Sequence, residues 1–263
     1  MTGKSSTDWN PETYAKFRGL RLRPALDLLM QVGALPKGQV LDLGCGDGAA
    51  AAALKQRYPK HELLGLDASP AMLAKARGYD RLIEADAARW APDAPLALIF
   101  SNAALHWLPD HAVLLARLAS MLAPGGVLAV QMPRQYFSPS HRFLRDIATS
   151  LFPERFDTGT YDAPVQTAAA YWQMLAPLGH VEAWETEYVQ HLEPTTDMHP
   201  VRAFTQSTAM RPFVEKMSAA EQAMFVSAYD KALASAYPVM ADGSATMPFR
   251  RIFFVLRTPD AGT

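Results

Sequence analysis

The chain has a single cysteine, Cys45, among its 263 residues. One thiol excludes an intramolecular disulfide and any metal cluster built on cysteine pairs. No apolar run approaches the roughly 20 residues that a membrane-spanning helix needs, and the polar first ten residues lack the apolar segment of a secretory signal. These absences predict no metal site, no membrane association and a cytoplasmic location.

An excess of charge of either sign is also missing. The formal net charge is −1, so the chain has no basic surplus of the kind that binds nucleic acid or an anionic membrane. Hydrophobic residues make up 49% and charged residues 19%, a composition typical of a folded protein with a sizeable core. This length suits one large α/β domain or a core with a cap, and a monomer is the default expectation.

Short apolar segments alternate with helical patterns over residues 39–131. The predicted strands are Val40–Leu43, His61–Leu66, Arg81–Ala85, Leu96–Phe100 and Val127–Gln131. The predicted helices among and before them are Leu22–Val32, Ala49–Arg57, Pro70–Arg77 and Pro109–Met121. Apolar strands separated by helices indicate a parallel sheet that is covered on both faces.

The pattern changes after Pro133. Residues 136–177 and 197–240 are mostly helical in pattern, His180–His191 alternates as an antiparallel edge strand does, and Arg250–Arg257 is a last strand. We therefore expect an α/β fold with a Rossmann-like, seven-stranded, mostly parallel sheet and an antiparallel edge strand. The core is expected at about 20–135, 178–191 and 249–258. Helical insertions at about 136–177 and 192–248 would form a cap over the carboxyl edge of the sheet, where ligands bind in such folds.

The most informative segment is the strand and glycine-rich turn from Val40 to Gly48. Gly44-x-Gly46-x-x-Ala49 satisfies a loose dinucleotide fingerprint, yet Asp42 and Asp47 would repel a pyrophosphate in a partly desolvated pocket. The same carboxylates would attract S-adenosylmethionine, which carries an ammonium and a sulfonium and has no phosphate. An ordinary tight turn between a strand and a helix remains a third interpretation.

Polar residues follow three further predicted strands. Asp67 could accept hydrogen bonds from both hydroxyls of a ribose, Asp86 could accept one from an adenine amino group, and Asn102 ends the fourth strand. Each could equally be a helix cap or a surface turn. Their shared position at the carboxyl ends of parallel strands indicates one common crevice.

Three motifs, Asp42–Gly48, Gly65–Leu73 and Glu84–Ala87, resemble the cofactor motifs of class I S-adenosylmethionine-dependent methyltransferases. Four more segments resemble the trans-aconitate 2-methyltransferase family along nearly the whole chain, namely 8–11 with Tyr14, 102–110, 126–133 and Arg211-Pro212. One departure is Asp47, where the class usually has proline, and this change gives the turn flexibility and charge.

The resemblance implies a single methyltransferase domain over residues 1–263 with S-adenosylmethionine as cofactor. Gly44, Gly46 and Gly48 would form the turn, and Asp42 would lie near the methionyl ammonium. The remaining implied cofactor contacts are Asp67 and Ala68 at the ribose, Asp86 and Ala87 at adenine, Asn102, Ala103 and Leu105 at the methionyl side, and Trp9, Asn10 and Tyr14 closing over the cofactor.

The implied reaction makes the monomethyl ester of trans-aconitate or a closely related small polycarboxylic acid. A carboxylate is ionised at neutral pH, so no general base is required, and we interpret His106 and Trp107 as positioning walls. A polycarboxylate substrate needs cations, because a guanidinium pairs with a carboxylate in a bidentate fork. The candidates are Arg211 and Arg251, then Arg134, Arg142 and Arg202, with Tyr188, Tyr136 and His141 as polar contacts.

Three alternatives stay open at this point. The same chemistry could act on another acid, such as an acyl chain on a carrier protein. The chain could be a dinucleotide-dependent oxidoreductase, although Asp42 and the lack of a Tyr-x-x-x-Lys pair argue against that class. It could also bind the cofactor without turnover.

Overall fold

The computed structural model of the protein describes residues 18–156 and 163–262. Trp9, Asn10 and Tyr14, which the resemblance assigns to the cofactor, lie outside the described residues. The strands are β1 (Gln39–Leu43), β2 (Leu63–Asp67), β3 (Arg81–Glu84), β4 (Leu96–Asn102), β5 (Leu122–Pro133), β6 (His180–Leu192) and β7 (Ala245–Arg257). The helices are α1 (Arg18–Gln31), α2 (Ala51–Arg57), α3 (Pro70–Leu73), α4 (His111–Ser120), α5 (Pro139–Leu151), α6 (Ala168–Leu175), α7 (Pro200–Thr205), α8 (Arg211–Val214) and α9 (Ala219–Ala236).

The seven strands form one sheet in the order β3-β2-β1-β4-β5-β7-β6. The pairs β1–β2, β2–β3, β1–β4 and β4–β5 are all parallel. The chain builds outward from β1 to β3 and then returns to place β4 on the other side of β1. This reversal creates a crevice at the carboxyl ends of β1 and β4, which is where open α/β sheets bind ligands.

The last two strands introduce antiparallel pairing. Gly125 N donates to Pro259 O at 2.9 Å and Gly126 O accepts from Thr258 N at 3.0 Å, so residue numbers fall beyond β7 as they rise along β5. The Trp184 ring stacks on Phe253 at 5.1 Å, and Glu187 Oε2 lies 3.6 Å from Arg250 Nη2. β6 and β7 are therefore antiparallel as well, and the expected mostly parallel sheet with antiparallel pairing at its β6 edge is confirmed.

The chain divides into two compact units, of which the first comprises residues 1–133, 165–186 and 252–263. Its core is the set of fully buried apolar residues on the central strands, such as Leu41, Leu64 and Ile99. Helix α6 also belongs here, because Tyr171 is buried and its hydroxyl lies 2.6 Å from His111 Nδ1. The sequence analysis assigned α6 to the helical insertion, since its pattern does not show which unit it packs against.

The second unit comprises residues 134–164 and 187–251. Its centre is helix α9, whose Phe225 and Tyr229 are fully buried, and the Tyr229 hydroxyl donates to Ser140 O at 2.7 Å. Ser218 and Glu221 form a reciprocal capping box that begins α9, the arrangement that satisfies two free N–H groups of a first turn. The predicted helical character of this region is confirmed, in shorter pieces than the sequence pattern indicated.

One helix ends early for a reason that affects the site. The sequence predicted a helix from Pro70 to Arg77, and Ser69 does cap it, with Oγ accepting from Met72 N at 3.4 Å. The helix stops at Leu73, and the backbone of Arg77 then passes close to Gly48, where an added Cβ would lie 3.0 Å from both Arg77 N and Arg77 O. The segment between α3 and β3 therefore packs closely against the glycine turn.

Candidate active site

The glycine turn after β1 is bound to the neighbouring strand. Gly44 N and Cys45 N both donate to Leu66 O, at 2.8 and 2.9 Å. Gly44 has φ +76°, and a Cβ there would lie 2.2 Å from the Ala104 Cβ. Only glycine adopts this conformation without strain, and only glycine lets the segment after β4 approach so closely.

A cavity of about 230 Å³ lies along this edge, within the first unit. Its lining comes from the segments that follow β1, β2, β3 and β4, as the strand order predicts. Ten of the fourteen predicted cofactor contacts line it, namely Asp42, Gly44, Gly46, Asp67, Ala68, Asp86, Ala87, Asn102, Ala103 and Leu105. The structure therefore brings most of the proposed cofactor contacts into one place.

Asp67 is oriented by two backbone donors. Its Oδ2 accepts from Gly46 N at 2.8 Å and its Oδ1 from Ser69 N at 2.9 Å. A carboxylate has about four acceptor sites, so each oxygen keeps a site for a further donor. Two adjacent hydroxyls, as in a ribose, match that arrangement.

Asp42 is the buried acid of the cavity, with 2% of its surface exposed. The Tyr79 hydroxyl donates to its Oδ2 at 2.7 Å. Burial raises the pKa of Asp42 from 3.8 to about 7, against the opposing effect of the Tyr79 hydrogen bond and with a smaller contribution from Asp67 in the raising direction. A cation entering the cavity would favour the ionised form of this carboxyl.

The segment after β3 is held in place by Arg117 of α4. The Arg117 guanidinium donates to Ala87 O and, at 2.8 Å, to Trp90 O. Asp86 Oδ1 accepts from Ala88 N at 2.8 Å, and its Oδ2 lies 3.7 Å from Arg89 Nε. Asp86 is thus a half-exposed carboxylate on a fixed segment of the cavity wall.

The segment after β4 shows two signs of a binding site. Ala103 has φ +55°, a strained conformation for a residue with a Cβ and one that is concentrated at functional sites. The Asn102 Oδ1 is buried and has no hydrogen-bond partner among the residues that the structure describes. A buried acceptor without a donor is costly, and a ligand with N–H or O–H groups would satisfy it. S-adenosylmethionine carries an ammonium, two ribose hydroxyls and an adenine amino group, so its donors fit this acceptor-rich cavity.

Two predicted residues are placed differently, and others were missed. Gly48 and His106 are not part of the cavity lining described above; Gly48 packs on Arg77, and the His106 ring lies 4.6 Å from that of Trp107, which does line the cavity. The structure adds Met72 and Leu108 to the lining. Apolar residues carry no chemical signal in a sequence, so these two could not be distinguished there from core residues.

Several predicted substrate residues have carboxylate partners within the second unit. Arg211 Nη2 lies 3.0 Å from Glu215 Oε1, one helical turn away. Arg202 Nε lies 2.8 Å from Asp230 Oδ1, and Arg142 is 3.6 Å from Asp146. The sequence did not reveal these three ion pairs, and only that of Arg202 is largely shielded from solvent.

Arg251 and Tyr188 share one face of the paired strands β6 and β7. The register that sets Glu187 opposite Arg250 also sets Tyr188 opposite Phe249, with Arg251 next along the same face, because side chains alternate along a strand. Arg251 is 3% exposed, and its Cζ lies 4.6 Å from the Phe249 ring. Gln190 follows Tyr188 on this face, and its buried Oε1 has no hydrogen-bond partner among the described residues.

The remaining candidates lie in the same unit. Arg134 N donates to Arg250 O at 2.9 Å at the end of β5, and the Tyr136 ring lies 3.6 Å from Arg145 Cζ. His141 Nδ1 is 3.1 Å from Ser140 Oγ. Burial and the nearby Arg145 lower the pKa of His141 to about 4, so its imidazole is neutral at pH 7.

Residues 18–156 and 163–262 contain no metal-binding cluster and no membrane-spanning helix. No cluster of three or more His, Cys, Asp or Glu side chains in these ranges could hold a metal ion. None of the helices described there combines the length and apolar character needed to cross a membrane.

The mostly parallel sheet, its switch point and the acceptor-rich cavity are features of Rossmann-like methyltransferases that use S-adenosylmethionine. Residues 40–126 match the family described as "Methyltransferase domain". The Bacillus subtilis YcgJ protein has the same fold, with a TM-score of 0.54 and 15% identity over 94% of this chain and 100% of its own.

Two curated relatives identify the family more specifically. The trans-aconitate 2-methyltransferase of Methylobacterium radiotolerans is 40% identical over 259 residues, which span 95% of this chain and 98% of the relative. That of Azoarcus sp. is 40% identical over 251 residues, spanning 94% and 98%. The chain therefore belongs to the trans-aconitate 2-methyltransferase family. Membership decides between the two cofactor alternatives in favour of S-adenosylmethionine.

Proposed function

We propose that the protein transfers a methyl group from S-adenosylmethionine to a carboxylate oxygen of trans-aconitate or a closely related small polycarboxylic acid. The products are a monomethyl ester and S-adenosylhomocysteine. The observation that carries the proposal is 40% identity along 95% of the chain to an enzyme named for that acid. The acceptor-rich cavity supports the cofactor half of the reaction.

When bound, the cofactor supplies an electrophilic methyl group on its sulfonium. Asp67 accepts hydrogen bonds from the ribose hydroxyls, and Asp42 balances the charge of the ammonium. The Asn102 side chain offers its buried oxygen to a donor on the methionyl side, and Asp86 with Ala87 holds the adenine. These four contacts bind and orient the cofactor and take no part in bond making or breaking.

The protein contributes positioning rather than proton transfer. The substrate carboxylate is ionised at neutral pH and needs no base. Removal of water from the nucleophile and alignment of the reacting atoms then lower the barrier. Leu105, Trp107 and Leu108 give the cavity an apolar wall, which suits the exclusion of water around a methyl group.

We propose that Arg251 and Tyr188 bind substrate carboxylates, with Arg211, Arg134 and His141 as further contacts. A buried guanidinium beside an aromatic ring favours an anionic partner, because charge is strongly felt where water is excluded. These cations should hold the carboxylates that do not react, since pairing would reduce the nucleophilicity of the one that does.

The test is mass spectrometry of the purified protein incubated with S-adenosylmethionine and trans-aconitate. We expect S-adenosylhomocysteine and a product that is heavier than the acid by one CH₂ group. Cofactor binding without an ester would refute the assignment of the acid and turn the search to other carboxylic acids, including acyl chains on carrier proteins. Failure to bind the cofactor would refute the proposal as a whole.

Arg251 has a matched control on its own strand. Arg250 is exposed on the opposite face and pairs with Glu187. We expect Arg251→Lys to raise the KM for the acid at least about tenfold, because the bidentate fork is lost, whereas Arg250→Lys leaves it unchanged. Equal effects of the two substitutions, at unchanged affinity for S-adenosylhomocysteine, would contradict the role of Arg251.

We also propose that the protein acts as a cytoplasmic monomer on a free small acid. The names of its relatives specify a small molecule, which requires no docking surface for a carrier. Light scattering coupled to size-exclusion chromatography tests the monomer, and fractionation of cells tests the location.

A further inference from the structure

Tyr79 does not line the cavity, but it contacts a residue that does. Its hydroxyl donates to Asp42 Oδ2 at 2.7 Å, across 37 positions of sequence. Asp42 faces the cavity, so this hydrogen bond connects Tyr79 to the ligand site. Neither the sequence motifs nor the proposed reaction assigns it a role.

The position of Tyr79 is restricted by the next residue, Asp80. Asp80 pairs with β2, because Asp80 N donates to Leu63 O at 2.9 Å and Asp80 Oδ2 accepts from Leu63 N at 2.7 Å. Asp80 also accepts a hydrogen bond from Lys55 of α2. Because two hydrogen bonds hold Asp80 to Leu63, the backbone of the adjacent Tyr79 has little freedom to move.

Two glycines make the space for the ring. A Cβ on Gly65 of β2 would lie 2.9 Å from the Tyr79 ring, and one on Gly48 of the turn would lie 3.2 Å from it. The ring therefore packs directly on backbone from both segments that bind the cofactor. The hydroxyl is held at Asp42 by packing as well as by the hydrogen bond.

Among the described residues, the groups that shift the pKa of Asp42 are the Tyr79 hydroxyl and the Asp67 carboxylate, and neither is a cation. The Cys45 thiol is neutral, because burial and the carboxylates of Asp42 and Asp67 raise its own pKa. A positive charge that arrives with a ligand would therefore strongly favour the ionised form of Asp42.

We propose that Tyr79 is a positioning residue for the cofactor, whose hydroxyl holds Asp42 against the cavity so that this carboxyl loses its proton to solvent when the ligand's ammonium enters. The O–H of Tyr79 remains a donor throughout, and the only proton released is that of Asp42. This inference depends on the cofactor and not on the methyl acceptor, so it can fail or hold independently of the proposed substrate.

The direction of the pH effect follows from the structure. Burial raises the pKa of Asp42 to about 7, and the Tyr79 hydrogen bond opposes that rise. Affinity for a ligand that needs ionised Asp42 therefore falls as the pH drops below neutral. Removal of the Tyr79 hydroxyl should shift this loss of affinity to higher pH by about one unit, because a hydrogen bond to a charged group contributes about the free energy of one pKa unit. At an acidic pH the affinity should then be about tenfold lower than that of the wild type.

The experiment is titration calorimetry of S-adenosylhomocysteine against wild type and Tyr79→Phe across the neutral range, in two buffers of different ionisation enthalpy. S-adenosylhomocysteine keeps the amino group and lacks the reactive methyl, so turnover does not interfere. We expect the wild type to release a proton on binding at acidic pH, and Tyr79→Phe to bind about tenfold more weakly there yet match the wild type at alkaline pH. The ligand's own titration is common to both proteins and cancels in the comparison.

Tyr58→Phe is the control, because the Tyr58 hydroxyl belongs to the same unit and shares its one proton between Val32 O and Gly33 O, both at 2.9 Å. Its binding profile should match the wild type. An equal loss of affinity at every pH in Tyr79→Phe, or an unchanged profile, would overturn the proposal. If Tyr79→Phe does not fold, Asp42→Asn decides: proton release on binding that persists in Asp42→Asn overturns the proposal, and its disappearance supports it.

Discussion

The close approach of Gly44 to Ala104 allows the cost of one methyl group to be worked out. Gly44→Ala places a Cβ at φ +76°, 2.2 Å from the Ala104 Cβ. The left-handed backbone costs about 1–2 kcal/mol. Carbon atoms prefer separations of about 3.5–4.0 Å, so one segment must also move, at a further cost of about 1–3 kcal/mol. We expect a total near 3 kcal/mol, or a Tm lowered by about 6–12 °C for a chain of this size.

Gly46 is a matched control for this substitution. It also has a left-handed φ, +55°, but its Cβ would meet only Met72 Cε, at 3.5 Å. Gly46→Ala therefore carries the backbone cost alone, about 1 kcal/mol. Ala104→Gly in the Gly44→Ala background removes the clashing atom and should recover about 1–3 kcal/mol.

Thermal unfolding followed by circular dichroism measures all of these variants. The affinity of each for S-adenosylhomocysteine should fall in the same order, because Gly44 and Ala104 both line the cavity. Two results would refute the reasoning: equal destabilisation by Gly44→Ala and Gly46→Ala, or no recovery when Ala104→Gly is added.

Three further perturbations test charges and ion pairs. The pKa of Asp42, raised from 3.8 to about 7, makes the cofactor-free protein lose stability as the pH rises from about 4 through 7, by up to about 4 kcal/mol; urea unfolding of Asp42→Asn should lack this slope. Burial lowers the pKa of His199 below its usual 6.5, and its Nδ1 accepts from Val201 N. The stabilisation that neutral His199 provides is therefore present above pH 6.5 and is lost as the pH falls through the lowered pKa of the folded protein. His199→Asn keeps an acceptor for the helix cap and should show no such loss. Arg202→Ala leaves a partly buried Asp230 without its 2.8 Å partner and should cost about 1–2 kcal/mol in urea unfolding, with the KM for the acid unchanged; a raised KM at full stability would contradict a structural role.

Much of the first unit could be predicted from the sequence, because local preferences and the tertiary fold agree there. The buried strands follow from their apolar runs, and the turn after β1 follows from glycines that adopt left-handed φ. Ser69 and Pro70 begin α3 as their capping chemistry indicates. The carboxyl ends of parallel strands necessarily meet at one edge, so Asp67 and Asn102 could be assigned to a shared crevice before any coordinates were known.

The second unit was predicted less completely. The helical regions are present, but the sequence did not reveal that Arg202 and Arg211, both interpreted as substrate ligands, also pair with Asp230 and Glu215. An arginine has the same sequence signature whether it binds a substrate or a neighbouring helix. The distinction depends on which carboxylate the fold brings within reach.

The amino-acid sequence by itself determined the kind of ligand. The motifs that contain Asp42, Gly44 and Asp67 are short, and their conformation depends mainly on neighbouring residues. The chemistry of each motif could therefore be predicted from its own sequence. Only the tertiary structure decided what stands behind those residues: the Tyr79 hydroxyl on Asp42 and the Ala104 methyl against Gly44. Both contacts join segments distant in the chain, and their existence depends on strand register and helix length, which short-range preferences do not specify.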